Sequence, residues 1–533
     1  MIIKKLKLYG WIPLWLGIVT TALLCRPPLP VDETRYLSVV WEMWQSHQFL
    51  VPHINGLPYS HKPPLLFWLI RGGWELLGVH DWSARLTAPL FGLFTILLSL
   101  RLAGKLWPEQ QVQTVIPYLF LGTLFWSFYS TLTMFEMPLT CFALLGWLAL
   151  WRGIKEKSAL CWVIYGLATG LGILTKGPVI LVYIAPPALL APWWTDQKRT
   201  ISWKSWYGGF LMAVAGGIIL ALAWALPAAK AGGEQYGQMI LSGQTTGRMV
   251  HSFAHQRPFY WYFPLLPLLL FPWVFLPKFW IGLRRVHLTG QVKFCLAIIV
   301  PGFLIFSFIS GKQIHYLLPL LPPTLLLIRQ VFATVQTEEP SAAGLLPMTL
   351  LLLSLALFIL PFLPLQGGDS EMIRFLPPWL GVIPLIAMFP VRRKMNPNQR
   401  IVQTSIPMVL MLIGFHLSLY TPLHMLYDET VIGEKIHRAQ KSNKQVAVYP
   451  ARLADQFQFP GRLTRPIFPM ETIEAIVRWS QTHKSQYVLL LLEKKVYPFF
   501  KDTGIIRPLA GKWLVFRSTD GVLADYQRWK RGT

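Results

Sequence analysis

The chain has 533 residues, 53% of them hydrophobic and only 14% charged, yet its net charge is +25. A nucleic-acid binder would gather its cations on one polar face. Here they fall in short clusters between long apolar runs, as the positive-inside rule produces, and that excludes nucleic acid as the partner. The four cysteines (Cys25, Cys141, Cys161, Cys295) lie in or beside apolar runs without paired spacing, so they read as packing residues rather than a disulfide framework or metal site.

In chain order, Lys4, Lys5 and Lys7 precede an apolar stretch that runs to Cys25. Leu23 and Leu24 stand where a cleavage site favours small residues, so this stretch is expected to be the first span, with its lysines in the cytoplasm. Next comes PVDETRYLSVVWEMWQSHQFLVPHINGLPYSHKPPLLFWL, from Pro30 to Leu69, which holds acids, cations and histidines that its flanks almost lack. Leu37, Val40, Trp41 and Trp44 recur at helical spacing, the pattern of a short amphipathic helix on a membrane surface. A polar loop with Asn55-Gly56 follows, then Lys62 ahead of Pro63-Pro64. An acidic pair (Asp32, Glu33) and a lysine near a membrane make this stretch a candidate functional site.

Membrane helices are expected near 8–25, 83–105, 112–130, 136–152, 159–175, 178–194, 207–226, 262–283, 292–309, 316–332, 344–364, 376–391 and 402–420. The segment 64–78 contains Arg71, Gly72, Gly73 and Glu75 and is expected to lie on the surface or re-enter. With that assignment Arg101, Lys105, Arg152, Lys155, Lys157, Lys198, Arg199, Lys204, Arg284, Arg285 and Arg392–Lys394 all fall inside. The external loops are then 26–82 and 227–261, with shorter turns around Glu136, Lys176 and Ser310–His315. They carry Asp32, Glu33, Arg35, His53, His61, Lys62, Glu136, Lys176, Arg248, His251, His255, Arg257, Lys312 and His315. External cations run against the positive-inside trend, and a cluster of them suits phosphate or pyrophosphate binding. An acid pair beside them suits a general base, a metal or charge balance.

After the last span the composition becomes charged. Gln445–Tyr449, Tyr487–Leu492 and Trp513–Arg517 read as strands and Ile473–Thr482 as a helix. The expected partition is a transmembrane domain, 1–425, and a small external α/β domain, 426–533, in an accessory role. That domain has no Gly-rich phosphate loop, paired cysteines or nucleophile elbow.

The blocks PVDETRY, VPHINGLPY and HKPPLLFWL resemble the first external loop of the aminoarabinose transferases, within the polyprenyl- or dolichyl-phosphate-sugar-dependent (GT-C) glycosyltransferases that include the protein O-mannosyltransferases. GQTTGRMVHSFAHQRPFYWYFPLLPLLLFPW (243–273) and FSFISGKQIHYLLPLLPP (306–323) are similar to two further blocks of that family, in the same order. The resemblance covers about residues 8–330 well and the C-terminal region in outline. It implies a polytopic α-helical membrane protein of about thirteen helices, with an external soluble domain and an active site at the outer membrane boundary. It also implies a sugar donor carried on polyprenyl phosphate. For a bacterial inner membrane that face is the periplasm, and the implied partners are membrane lipids, the lipid-linked sugar and an envelope acceptor such as lipid A.

By the same resemblance Asp32 corresponds to the family's essential acid, with Glu33 beside it and Arg35 and Tyr36 completing the motif. Lys62 matches the lysine that approaches the carrier phosphate, and Arg248 and Tyr316 match further phosphate-holding positions. Lys312 and Arg257 are additional candidates for the phosphate. Tyr36, Tyr59, Lys176, His251 and His255 are candidates for the sugar or acceptor. The family's second acid is usually Asp before Met-Pro; here Glu136 stands before Met137-Pro138, one methylene longer. His61 occupies the position of a family Glu, so a divalent metal at His61 or His255 is compatible, while no cofactor is required.

The chemistry suits these residue types. Polyprenyl phosphate is an activated leaving group, and preplaced cations would stabilise the charge growing on it. Asp32 would act as general base toward a hydroxyl acceptor, or position a phosphate acceptor. Structural readings stand beside these: Asp32 as the N-cap of its helix, Lys62 snorkelling to the interface, and Glu136 pairing with Lys176 across neighbouring helix ends. The alternative functions are a protein O-glycosyltransferase and a lipid-linked substrate transporter or flippase. A transporter should show internal repeats and charges near mid-span, and neither is evident.

Overall fold

The computed structural model describes residues 9–108, 112–196, 201–241, 256–335, 345–363, 376–388, 396–493, 505–509 and 512–532. They gather into two compact units: 1–22, 60–354 and 382–414 form one, and 23–59, 355–381 and 415–533 the other.

The first unit is helical. Among the described residues, seven stretches are long and apolar enough to cross a membrane: Asp81–Leu106, Glu136–Glu156, Ala159–Leu189, Trp203–Ala231, Gly290–Phe308, Ile314–Ala333 and Pro397–Ser418. The chain is therefore a multi-pass membrane protein. One of these stretches is not a single rod. The Tyr165 hydroxyl donates to the Ile184 carbonyl at 3.0 Å, whereas 19 residues of straight helix would separate them by about 28 Å. The chain reverses at Gly177, whose φ of +78° a side chain would resist. Ala159–Lys176 and Ile180–Leu189 thus run back along each other.

Several expected spans are broken helices, and proline is the main reason. The 262–283 run divides into Phe259–Leu265, Leu266–Leu269, Trp273–Phe275 and Pro277–Arg285, interrupted by Pro264, Pro267, Pro272 and Pro277. The 112–130 run breaks at Thr123, between Ile116–Gly122 and Leu124–Tyr129. At this break the Trp273 indole N–H donates to the Thr123 hydroxyl at 2.8 Å, so a side-chain bond ties the two interruptions together. Among the described residues of 376–391, only the short helices Pro378–Gly381 and Val382–Met388 form. The 64–78 segment contains a 13-residue helix, Leu65–Leu77, about 20 Å long and too short to span. Close helix packing comes from small residues: Gly166, Gly170 and Gly217 let Ala159–Lys176 approach Trp203–Ala231, and a Cβ at Gly166 would meet the Ala213 carbonyl at 2.8 Å.

The second unit is built on two sheets. A hairpin pairs β1 (His53–Ile54) with β2 (Leu57–Pro58) through Asn55-Gly56, both at positive φ. The larger sheet has strands β3 (Val446–Tyr449), β4 (Phe468–Pro469), β5 (Tyr487–Leu492), β6 (Ile505–Leu509) and β7 (Lys512–Ser518), in the order β4-β3-β5-β7-β6. β3 runs parallel to β4 and β5, and β7 antiparallel to β5 and β6. One face of the sheet packs Ile432, Ile436 and Phe457; the other packs Ile476 and Val522. Burial on both faces explains the continuous apolar run Val488–Leu492. Hydropathy places a boundary near 425, but packing places residues 23–59, most of the loop expected to be the first external one, in the same unit as this sheet.

Candidate active site

In the second unit, Asp32 opens the Asp32–Gln45 helix. Val31 is the N-cap residue and no side chain caps the helix, so Asp32 does not serve as a cap. Its carboxylate sits in the first turn, where the helix dipole favours negative charge. Oδ1 accepts from Arg35 Nη2 at 2.5 Å and from the Tyr36 hydroxyl at 3.3 Å. The Asp32 side chain stays 41% exposed, open to a ligand. Burial works against the charge on Arg35, but Tyr59, Tyr36 and Asp32 outweigh it and raise the guanidinium above its ordinary range. Tyr59 is buried, and its amide donates to the Pro52 carbonyl at 2.7 Å.

Glu33 sits differently. It is buried at 2% exposure against Arg26, with which it forms an ion pair, and it accepts the Leu29 amide at 3.0 Å. Neighbours on a helix point about 100° apart, which separates the two acids of the motif. Of the two, Asp32 is the carboxylate exposed to solvent, and Glu33 closes the turn before the helix.

The same helix is held along its length. The Ser38 hydroxyl donates to the Gln456 carbonyl at 3.3 Å, and the Trp41 indole donates to the Leu463 carbonyl at 2.8 Å. Glu42 accepts the backbone N–H groups of Asn55 and Gly56. Burial raises the Glu42 carboxyl, and Asp455 adds to the shift against those two amides. Thr34 is buried beside Glu429, whose carboxyl is pushed well above its usual range by burial and by adjacent Asp428.

In the first unit, Lys62, Glu136, Lys176, His315 and Tyr316 form a second cluster. Glu136 begins the Glu136–Glu156 helix and is 3% exposed. It pairs with Lys176, the last residue of its helix, and lies 3.3 Å from His315 Nε2. The Lys176 ammonium is 4.4 Å from the centroid of the Tyr316 ring, a cation–π distance. Tyr183 donates to the Tyr316 carbonyl at 2.8 Å. Lys62, half-buried, stands 5.7 Å from the Phe135 ring centroid and within electrostatic reach of Glu136. The Glu136–Lys176 pairing across helix ends is therefore present. His315 is its third member, missed as a partner of Glu136; the signal available was its position directly before Tyr316.

Lys312 does not join this cluster. It is 3% exposed, and its ammonium donates to the carbonyls of Arg257 at 2.9 Å and Ile309 at 2.5 Å. Burial lowers its pKa. Two carbonyl acceptors fix this cation as a tie between loops, reinforced by the Arg257 amide on the Ser310 carbonyl at 3.1 Å. Arg257 itself is exposed, its guanidinium 5.9 Å from the Trp261 ring centroid. His61 is exposed. Arg248, His251 and His255 lie outside the described residues. Among the described residues no group of three His, Cys, Asp or Glu side chains is placed to hold a metal ion.

Residues 61–225 match the dolichyl-phosphate-mannose-protein mannosyltransferase family. An undecaprenyl phosphate-alpha-4-amino-4-deoxy-L-arabinose arabinosyl transferase from Pseudomonas fluorescens (strain Pf0-1) is 31% identical over a region covering 65% of this chain and 64% of its own length. A counterpart from Edwardsiella ictaluri (strain 93-146) is 29% identical over 70% of this chain and 66% of its own. The alignment thus spans just under two thirds of the first relative. Among solved structures, ArnT from Cupriavidus metallidurans bound to undecaprenyl phosphate superposes with a TM-score of 0.73 at 18% identity, over 95% of this chain and 98% of that one. At that identity the likeness establishes the fold.

Proposed function

We propose that this chain is a GT-C glycosyltransferase related to the aminoarabinose transferases and that it transfers a sugar from undecaprenyl phosphate to an envelope acceptor. The sugar is 4-amino-4-deoxy-L-arabinose or a close relative, and the acceptor is a lipid A phosphate. Transfer takes place at the periplasmic face of a bacterial inner membrane, with residues 426–533 on that face and the transmembrane domain within 1–425.

The observation that carries this reading is the state of Asp32. It is an exposed carboxylate at a helix start, held on one oxygen by Arg35 and Tyr36. In the reaction an acceptor oxygen forms a bond to the anomeric carbon as the bond from that carbon to the carrier phosphate oxygen breaks. The electron pair leaves with undecaprenyl phosphate, which becomes the monoester. Lys62, Arg248 and Tyr316 hold the carrier phosphate, and Lys62 stabilises the charge it gains. Glu136 and His315 fix Lys176 beneath the Tyr316 ring, which orients that ring. A phosphate acceptor loses no proton, so Asp32 orients the acceptor or the amine of the sugar and offsets positive charge on the sugar in the transition state. Toward a hydroxyl acceptor the same carboxylate would take the proton.

The test is a mass spectrum of lipid A from cells that make the donor and express either this chain or Asp32→Ala at matched membrane levels. A sugar-sized mass with the intact chain and none with the variant supports the reading. Unmodified lipid A in both would sink it. The match of residues 61–225 to protein mannosyltransferases would then direct the search to envelope glycoproteins.

A further inference from the structure

Asn55 is the turn residue of a two-residue hairpin, and a turn residue is usually exposed. Here it is 7% exposed, and its side chain behaves like a piece of backbone. Nδ2 donates to the Ile467 carbonyl at 2.8 Å, and Oδ1 accepts the Ile467 amide at 2.7 Å. Gln458 Nε2 donates to the same Oδ1 at 3.0 Å. On the other side, the Asn55 amide donates to Glu42, ten residues along the helix from Asp32. Asn55 therefore links two elements far apart in sequence, the helix that carries Asp32 and the 456–467 loop.

That loop grips the helix at two more points. The Phe459 amide donates to the Ser38 hydroxyl at 3.4 Å, while Ser38 donates to Gln456. Arg462 stacks over Trp41 at 5.1 Å and over Phe459 at 3.8 Å. A 14-residue helix is a rigid rod of about 21 Å, so fixing its second half fixes the direction of its first turn. The acid at that first turn is the one open to substrate.

We infer that Asn55 is a positioning residue for the transfer, which sets Asp32 by locking its helix to the 456–467 loop. This rests on the proposed transfer activity. On this inference the C-terminal region is part of the scaffold of the site and not an accessory. Misplacement of a reacting group by about 1 Å costs on the order of a hundredfold in rate, so loss of the lock should appear in kcat.

The experiment uses the full chain in lipid nanodiscs, with undecaprenyl phosphate-linked aminoarabinose and lipid A. Asn55→Ala is expected to lower kcat per folded molecule by about tenfold or more, with the donor KM nearly unchanged. Asn55→Asp supplies a signature that a general loss of stability would not produce. Ionised, it sets a carboxylate against the Ile467 carbonyl; protonated, its O–H donates there and restores the lock. Its activity relative to the unaltered chain should therefore recover as pH falls. Glu42 on the helix and Asp455 beside it are the other acids facing this region, and both remain in the reference chain. Hydrogen exchange of amides 33–45 should quicken in both variants at neutral pH. If Asn55→Ala does not accumulate, Gln458→Leu takes its place, with a loss of about threefold expected. Unchanged kcat per folded molecule in these variants, or an Asn55→Asp profile parallel to the unaltered chain, overturns the inference. No product from the unaltered chain would instead refute the transfer reading.

Discussion

The two clusters use the same kinds of residue in opposite ways. Around Asp32 an acid and an arginine meet at a helix start, with the acid 41% and the arginine 25% exposed. Around Glu136 an acid and a lysine meet at helix ends, with the acid 3% and the lysine 10% exposed. Water screens the first pair and leaves it free to exchange partners with a ligand. The second is desolvated, and its energy depends on staying paired. An acid–cation pair is thus open to solvent or a buried strut according to its packing, and on the proposed function the open one is the reagent, so the contrast can be attacked from both sides.

The largest effect is expected at Asp32. Asp32→Asn keeps the size and an acceptor oxygen but removes the charge, and kcat should fall by about a thousandfold while the melting temperature stays close to that of the parent. A loss of activity that tracked a loss of fold would break the comparison. Glu136→Gln should do the reverse in kind. It leaves the Lys176 ammonium buried without its counter-charge, at a cost of about 3–5 kcal/mol read from denaturation in detergent. The double variant Glu136→Gln/Lys176→Met should recover part of that loss, and a fully additive pair would contradict the strut.

Lys62→Gln should raise the donor KM by about tenfold, the loss of one charge-assisted contact, with a smaller change in kcat. Lys312→Met should leave the donor KM unchanged, because its ammonium already serves two carbonyls. The smallest effect concerns pH. Burial raises the Glu429 carboxyl in the folded chain, so its contribution to stability is fully present below the unfolded value and is lost as pH rises through the folded one. Glu429→Gln should therefore melt higher than the parent at alkaline pH, and the gap should close as the buffer is made acidic. A gap independent of pH would mean that Glu429 does not titrate in this way.

Much of the architecture could be read from the chain. Apolar runs marked membrane helices, and the gaps between those runs marked the turns at Glu136 and Lys176. The alternation after residue 440 placed β3, β5, β7 and the Ile473–Thr482 helix within one or two residues. Proline-rich runs such as 262–283 misled, because hydropathy measures transfer to lipid and is blind to a missing backbone donor. The site was partly legible. Motif order singled out Asp32 ahead of Glu33 and Lys62 ahead of Lys312, with Arg35, Glu136 and Tyr316, but could not show how differently the two acids, or the two lysines, are buried and paired. Those distinctions rest on burial and partners, which belong to packing.

The sequence by itself determined that the chain crosses a membrane repeatedly and which residue types gather in the loops between its apolar runs, because hydropathy and charge are properties of residues one at a time. Only the tertiary structure decided that Glu33 is spent on Arg26, that His315 completes the Glu136–Lys176 pair, and that Asn55 ties the Asp32 helix to a loop more than four hundred residues later. Hydrogen bonds and desolvation act between residues, and the partners here are brought together by folding alone.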